Sequence, residues 1–193
     1  MKEFTSNLDW SKYNPKFLEH IINTKATTLG LEIILKIQPK KMMEVGIGGS
    51  QFMEQLMPHY QGEYVGVDGT ASFIDYAKKK NIPKTSYVYG LMGDVEAPVV
   101  DLIYLRHVLE HNPDLEKSVE WLSKHTTKHV LVINFHDWID QDETIRVGKR
   151  GISAAKRSKN FFVGTFQKYG LELKEDIELP DKGIFERILL FSK

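Results

Sequence analysis

Cysteine is absent from the 193 residues of this sequence. Its absence excludes disulfide bonds, thiolate metal ligands and a cysteine nucleophile, and it fits a reducing compartment. A long apolar run is missing as well, and the first ten residues, MKEFTSNLDW, are too polar for a signal peptide. We therefore expect a cytoplasmic protein without a membrane-spanning segment.

The sequence also lacks an excess of charge of either sign, because 26 lysine and arginine residues balance 26 aspartate and glutamate residues. Without an overall field, the protein is not drawn to nucleic acid or to an acidic membrane surface. A small-molecule substrate is therefore favoured over nucleic acid. The length of 193 residues is typical of one domain, so we predict a single domain over residues 1–193.

Helical and extended patterns alternate along the whole chain. Helices are predicted from Asn14-Pro15 onwards and over residues 27–37, 73–80, 115–125 and 161–169. Strands are predicted over residues 41–45, 63–67, 87–89, 101–105, 129–135, 171–179 and 186–192. This order predicts an α/β fold with a doubly wound, mostly parallel sheet of seven strands, helices on both faces and a C-terminal antiparallel hairpin.

A glycine turn and a later acidic residue give the strongest indication of a ligand. A short apolar run ends at Gly46 and Gly48, a helix follows, and a second apolar run ends at Asp68. Glycine has no Cβ, so the backbone can bend sharply there and approach a ligand closely. Asp68 is expected where a second parallel strand ends and where a carboxylate can bind both hydroxyls of a ribose. The pattern predicts an adenosine-containing cofactor.

The composition of the turn separates the classes of cofactor. A dinucleotide-binding G-x-G-x-x-G motif needs a small third residue, but Gln51 occupies that position. A phosphate-binding P-loop needs a lysine at the start of the helix, and the turn contains none. The remaining pattern, Glu44-x-Gly46-x-Gly48, resembles the first motif of the class I S-adenosylmethionine-dependent methyltransferases. The resemblance implies S-adenosyl-L-methionine as cofactor, S-adenosyl-L-homocysteine as product, and a Rossmann-like methyltransferase fold.

Two later segments extend this resemblance. Gly93 and Asp94 precede the fourth strand, where the family commonly has an acidic residue that accepts a hydrogen bond from the adenine amino group. Residues 101–111, DLIYLRHVLEH, resemble the segment after the fourth strand, which implies that backbone groups of Leu105 flank the amino-acid end of the cofactor. Residues 8–13 resemble the N-terminal lid, so Trp10 or Tyr13 is expected to cover the cofactor, or else both rings pack the first helix onto the core.

Residues 107–111 also match H-x-x-E-H, a zinc signature in which two histidines on one helix hold the metal. Here a buried strand runs directly into His107, so the two histidines straddle a junction between strand and helix. No third ligand is evident. We therefore predict no metal site.

The acceptor side is less well defined by the sequence. His136 follows the fifth strand at its carboxyl end and is our candidate general base, the alternative being that it solvates a turn. Residues 146–159 carry six basic residues and no acidic one, so they could recognise a phosphate, a carboxylate or nucleic acid, or form a solvated face.

We divide the domain into N-terminal helices and lid (1–40), a cofactor-binding core (41–136), a variable basic segment (137–160) and a C-terminal helix and hairpin (161–193). The sequence as a whole predicts an S-adenosylmethionine-dependent methyltransferase with a small polar acceptor. The alternatives are an NAD-type oxidoreductase, a non-catalytic module that binds an adenosine ligand, and an RNA-binding protein that uses the basic segment.

Overall fold

The computed structural model describes residues 24–135, 138–147, 153–181 and 184–193. The strands are β1 (Lys41–Val45), β2 (Glu63–Asp68), β3 (Thr85–Tyr89), β4 (Val100–Arg106), β5 (Thr126–Asn134), β6 (Glu143–Val147), β7 (Ser153–Arg157), β8 (Glu172–Asp181) and β9 (Ile184–Ser192). The helices are α1 (Lys25–Ile37), α2 (Gln51–Leu56), α3 (Ala71–Lys79), α4 (Leu115–His125) and α5 (Lys159–Lys168), and a short 3-10 helix spans Leu109–His111. The helix predicted from Asn14 lies outside the described residues.

Seven strands form one sheet in the order β3-β2-β1-β4-β5-β9-β8. Strands β1 to β5 are parallel to one another, whereas β9 is antiparallel to both β5 and β8. The predicted mostly parallel sheet with a C-terminal antiparallel hairpin is confirmed. The chain proceeds from β1 towards β3 on one side and then returns to place β4 on the other. The loops after β1 and β4 therefore diverge, which opens a crevice at the carboxyl ends of these strands.

Each face of the sheet is covered by helices, because successive strand residues point to opposite sides. Met42 of β1 packs with apolar residues of α1 and α2, whereas the next residue, Met43, packs with residues of α4 and α5. The strands are accordingly apolar on both faces, as expected for a parallel sheet buried between two layers. Helices pack on both faces of β1 and β4, so the crevice lies at the end of a well-packed part of the sheet.

Residues 137–160 contain more regular structure than the sequence suggested. Strands β6 and β7 pair in antiparallel fashion and form a separate two-stranded sheet. From here on we call this pair the hairpin, as distinct from the C-terminal pair β8 and β9. The interpretation of the basic run as a solvated face is wrong for Arg157, whose side chain is only 2% exposed. Small residues such as Ala155 made the alternation of β7 hard to recognise. Among the described residues, no helix is both long and apolar enough to cross a membrane.

Candidate active site

The glycine turn joins β1 to α2 and has an unusual backbone conformation. Gly46 and Gly48 have φ angles of 78° and 47°, and Ser50, which caps α2, has a φ of 63°. A Cβ on Gly46 would lie 2.5 Å from Cγ2 of Val108, so both conformation and space require glycine there. The amide of Gly46 donates to the carbonyl of Val67 at 2.8 Å, which fixes the turn against β2. The turn is therefore held in one conformation, and its glycines present backbone without side chains.

Asp68 is the last residue of β2 and is bonded to the glycine turn. Its Oδ2 accepts a hydrogen bond from the amide of Gly48 at 3.1 Å, and its Oδ1 accepts one from the amide of Thr70 at 2.8 Å. Burial raises the pKa of Asp68, against the lowering effect of the two amides. Each carboxylate oxygen keeps a further lone pair that a ligand hydroxyl could use. The same side chain thus orders the turn, leads into α3 and retains capacity for a ribose.

Glu44 lies inside β1 and is only 5% exposed. The hydroxyl of Tyr64 in β2 donates a short hydrogen bond to its Oε2. Burial raises the pKa of Glu44 to about 8, although the hydrogen bond from Tyr64 opposes this shift. The carboxyl is therefore mostly protonated near neutral pH and is not a solvated surface group. A contact with the cofactor stays a prediction.

Gly93 and Asp94 lie in the loop between β3 and β4, which we call the β3–β4 loop. Gly93 has a φ of 94°, and Oδ1 of Asp94 lies 2.5 Å from the Lys117 ammonium of α4. Both charged side chains are more than half exposed. The loop follows β3, whose last residue Tyr89 is paired with Asp68. Asp94 therefore belongs to the same end of the sheet as Asp68.

Leu105 and His107 come from the end of β4, on the other side of β1. Leu105 is buried between Val45 of β1 and Val132 of β5. His107 follows the strand with a φ of 55°, and its ring stacks on Phe135 with ring centroids 3.3 Å apart. The carboxyl ends of β4 and β5 are thus linked by this stacked pair.

Two carboxylates hold the His107 ring. Its Nδ1 lies 2.9 Å from Oε1 of Glu110, and its Nε2 lies 2.9 Å from Oε1 of Glu186 in β9. Burial alone would raise the pKa of Glu186, but the bonds from His107 and Thr24 and the charge of Arg106 lower it to about 2. Burial raises the pKa of Glu110, but the bond from His107 together with the charges of His107 and His111 outweighs it, so the pKa is also lowered. Both ring nitrogens of His107 are therefore directed at carboxylate oxygens.

The contacts of His107 also concern the zinc motif H-x-x-E-H that residues 107–111 match. His107 bonds Glu110, and the two residues belong to a junction that continues into a 3-10 helix and not into an α-helix. Within the parts of the chain that the structure describes, no group of three or more histidine, aspartate or glutamate side chains could hold a metal ion.

Arg157 of the hairpin is bonded to the segment after β4. Its Nη1 donates to the carbonyl of Leu109 at 2.9 Å and its Nη2 to the carbonyl of Asn112 at 2.8 Å. Its Nε donates to Oε1 of Glu143 at 2.8 Å, which ties the two strands of the hairpin together. The hairpin is therefore anchored on the 3-10 helix that carries Glu110.

Residues 43–133 match a family model described as a methyltransferase domain. The match runs from β1 through the glycine turn, Asp68 and the segment after β4. The chain therefore contains a methyltransferase domain, and it is an S-adenosylmethionine-dependent methyltransferase with the class I fold. Methyltransferases that share the fold are solved with bound S-adenosylmethionine or S-adenosylhomocysteine, so the cofactor class predicted from the glycine turn is confirmed and the NAD-type alternative is wrong. Gln51, buried at the start of α2, occupies the position where a dinucleotide-binding motif needs a small residue.

Solved structures of other methyltransferases share the fold. A putative S-adenosylmethionine-dependent methyltransferase from Listeria monocytogenes has a TM-score of 0.72 at 13% identity, covering 87% of this chain and 98% of its own. The 1,6-didemethyltoxoflavin-N1-methyltransferase of Burkholderia thailandensis, solved with bound 1,6-didemethyltoxoflavin and S-adenosylhomocysteine, has a TM-score of 0.73 at 10% identity and covers 92% of this chain and 82% of its own. Magnesium protoporphyrin IX methyltransferase of Synechocystis, with bound S-adenosylhomocysteine, has a TM-score of 0.70 at 12% identity and coverages of 88% and 82%. A comparison with curated protein sequences finds no match.

The residues of this methyltransferase fit S-adenosylmethionine. A methyl group at Gly46 would collide with Val108, so the turn presents bare backbone at the crevice. The buried carboxylate of Asp68 is bonded to that turn and has acceptor capacity for two hydroxyls. Residues 44–51 contain no lysine or arginine, which suits a ligand without phosphate.

The predicted cofactor residues come from neighbouring strand ends. Glu44, Gly46 and Gly48 come from β1 and the turn after it, and Asp68 ends the adjacent strand. The β3–β4 loop and β4 contribute the remaining described candidates: Gly93, Asp94 and Leu105. His136, the candidate base, and Tyr13, the candidate cover, lie outside the described residues.

Three side chains that bond residues of the candidate site or of the segment after β4 were missed by the sequence analysis: Tyr64, Glu186 and Arg157. Each acts on a partner far away in the chain, so no local spacing indicates the contact. Arg157 was noticed only as part of the basic run. Its immediate neighbour Ser158, which caps α5 through a bond to the amide of Phe161, was the one local signal that the run ends in ordered structure.

Proposed function

We propose that this methyltransferase transfers a methyl group to a small polar acceptor. The observation that supports the proposal best is that two of the six basic residues of segment 146–159, Arg157 and Lys159, are engaged within the protein. Arg157 is buried on backbone carbonyls, and the ammonium of Lys159 lies 2.6 Å from Asp176. Cations engaged in this way do not form a stripe that follows a nucleic-acid backbone, so a small molecule is favoured over RNA. The toxoflavin and porphyrin methyltransferases that share the fold are named for small acceptors.

The cofactor residues would divide their roles along the crevice. Gly46 and Gly48 would let the backbone approach the methionine part, with Glu44 beneath them. Asp68 would bind the ribose hydroxyls. At the two ends, Gly93 and Asp94 would bind the adenine, and backbone groups of Leu105 would flank the amino-acid end. Tyr13 would cover the bound cofactor.

Bound S-adenosylmethionine supplies a methyl group that its sulfonium already makes electrophilic. The chain therefore needs to hold the acceptor in line and to exclude water. A general base is required only when the acceptor is a hydroxyl or a protonated amine. His136 is proposed for that step, because both ring nitrogens of His107 already face carboxylates.

The acceptor is proposed to bind beside the carboxyl ends of β4 and β5. Phe135 is 38% exposed there and covers the His107 ring. The hairpin lies next to this region, because Arg157 anchors it on the 3-10 helix. An apolar ring surface beside the charged group of Arg106, His107 and Glu186 suits a small molecule with both apolar and polar parts.

Two measurements test the proposal in order. Isothermal titration calorimetry with S-adenosylhomocysteine should show one site per chain, and the absence of any affinity would contradict the cofactor site. Transfer of radiolabelled methyl groups is then followed over a panel of amines, hydroxylated heterocycles and carboxylates, with short RNA oligonucleotides as a comparison. Labelling of a small molecule is the expected result, whereas labelling of RNA alone would refute the proposed acceptor class.

A further inference from the structure

Three residues on one face of α4 lie against three consecutive residues of the β3–β4 loop. Lys117, Trp121 and His125 are spaced by four residues, so they line up along one side of the helix. The first two contact Asp94 and Val95, and Nε2 of His125 lies 4.0 Å from a carboxylate oxygen of the exposed Glu96. The side of the helix that carries these residues therefore faces the loop.

Trp121 makes the central contact of this series. Its Nε1 donates a hydrogen bond to the carbonyl oxygen of Val95 at 2.6 Å, and its ring is buried in the core. The ring also stacks on His125 with centroids 4.2 Å apart, and Nδ1 of His125 lies 2.8 Å from the carbonyl oxygen of Trp121. The indole is thus held in one orientation, with its only donor directed at the loop.

Lys117 makes the contact nearest to the proposed adenine site. Its ammonium lies 2.5 Å from Oδ1 of Asp94, and its Cγ lies 3.3 Å from the point where a Cβ of Gly93 would be. The lysine stem therefore packs under Gly93 while its charge engages one oxygen of the Asp94 carboxylate. The second oxygen, Oδ2, remains for a ligand donor.

The β3–β4 loop has little structure of its own. Its amides at Asp94 and Val95 both bond the carbonyl of Leu91, at 3.1 and 3.0 Å, which closes a single turn. Residues 90–99 contain neither helix nor strand. A single turn fixes its internal shape but not its position on the sheet. That position depends on contacts from outside the loop, and α4 supplies the polar ones described above.

We infer that Trp121 is a positioning residue for adenine recognition: it holds the Val95 carbonyl and thereby places the Asp94 carboxylate, which Lys117 orients. The inference rests on the proposed function, in which Asp94 accepts a hydrogen bond from the adenine amino group. It adds that specificity for adenine is set in part by α4, through its contacts with the β3–β4 loop.

The test compares two ligands that differ at the adenine amino group: S-adenosylhomocysteine and S-inosylhomocysteine, which carries a carbonyl oxygen there. Trp121→Phe removes the indole donor and keeps an aromatic ring. Calorimetry should show that this variant binds S-adenosylhomocysteine about tenfold more weakly than the parent, the value of one hydrogen bond of 1.4 kcal/mol. Its affinity for S-inosylhomocysteine should change less than about twofold, since that ligand offers no amino group to Asp94.

Each outcome is decisive. Equal weakening of both ligands, or no weakening of either, would overturn the inference, because a general structural role does not distinguish the two ligands. Failure of the parent protein to bind either ligand would refute the proposed function instead.

A second variant keeps the test valid should Trp121→Phe fold poorly. Lys117 is half exposed, and Lys117→Met retains the stem under Gly93 while removing the ammonium. We expect a loss of about threefold in the preference for S-adenosylhomocysteine over S-inosylhomocysteine, within the range for an exposed charged contact. Lys124→Met, on the same helix and paired with Glu120, is the matched control and should leave the preference unchanged.

Discussion

The carboxylate of Asp68 accepts a hydrogen bond from the amide of Gly48 across the ends of two adjacent strands. These residues are 20 positions apart, and the sequence singled out both as ligand contacts. The bond makes them one unit, because a shift of the glycine turn would move the carboxylate that we propose to bind the ribose. Cofactor binding should therefore depend on the charge of Asp68 for two reasons: the direct contact and the order of the turn.

Replacement of Asp68 by asparagine should weaken binding of S-adenosylhomocysteine. The amide oxygen can still accept one hydrogen bond, but the amide nitrogen then faces a backbone donor at Gly48 or Thr70. Loss of a charge-assisted bond predicts a decrease of about tenfold to a hundredfold in affinity, measured by calorimetry. Asp75→Asn on the exposed side of α3 is the control. Equal affinities of the parent and Asp68→Asn would exclude Asp68 from the ribose site.

Gly46→Ala should destabilise the protein by about 2 kcal/mol or more, because alanine is strained at a φ of 78° and its Cβ meets Val108. Adding Val108→Ala should restore only part of this loss, since it relieves the collision but not the backbone strain. Urea denaturation measures the free energy of unfolding of the single and the double variant. Gly164→Ala is the opposite control: nothing lies within 4 Å of the added Cβ in the interior of α5, so a gain of about 0.5–1 kcal/mol is expected. Similar responses at the two glycines would contradict this account.

The parts of the fold that follow from local patterns could be predicted. The bounds of β1 and α4 agree with the sequence analysis, because the first is a short apolar run and the second has a clear apolar face after the capping residue Asp114. Strand β7 was missed, since Ala155 and Arg157 are not the side chains that usually mark a buried strand face.

The same division applies to the candidate site. Residues of the glycine turn were predicted because their spacing is local. The bonds of Tyr64 to Glu44, Glu186 to His107 and Arg157 to Leu109 join residues 20, 79 and 48 positions apart. They are created by strand order and by the docking of the hairpin, which a pattern in one segment does not encode. The protonated state of Glu44 likewise depends on burial, which is a property of the assembled fold.

The raised pKa of Glu44 predicts how stability depends on pH. An unfolded chain has a glutamate pKa of 4.5, whereas burial raises the folded value to about 8. The folded state therefore binds more protons between these values, so this contribution is complete below pH 4.5 and is lost as the pH rises through 8. Glu44→Gln has no such titration. Between pH 5 and 9 the parent should lose on the order of a few kcal/mol of unfolding free energy relative to the variant, measured by urea denaturation at each pH. Parallel pH profiles of the two proteins would show that Glu44 is ionised in the folded state.

Arg157→Met should detach the hairpin from the segment after β4. The substitution leaves the Leu109 and Asn112 carbonyls and the Glu143 carboxylate without their donor, so a loss of about 3 kcal/mol or more is expected. Arg157→Lys keeps the charge but cannot reach three acceptors with one ammonium, so it should recover only part of the stability. Lys156→Met, one residue earlier on the less buried face of β7, is the control and should change stability by less than about 0.5 kcal/mol. Hydrogen exchange should show faster exchange in β6, β7 and the 3-10 helix of Arg157→Met, with the β1–β2 pair unchanged. If exchange in the 3-10 helix stayed at the parent rate, the anchoring role of Arg157 would be refuted.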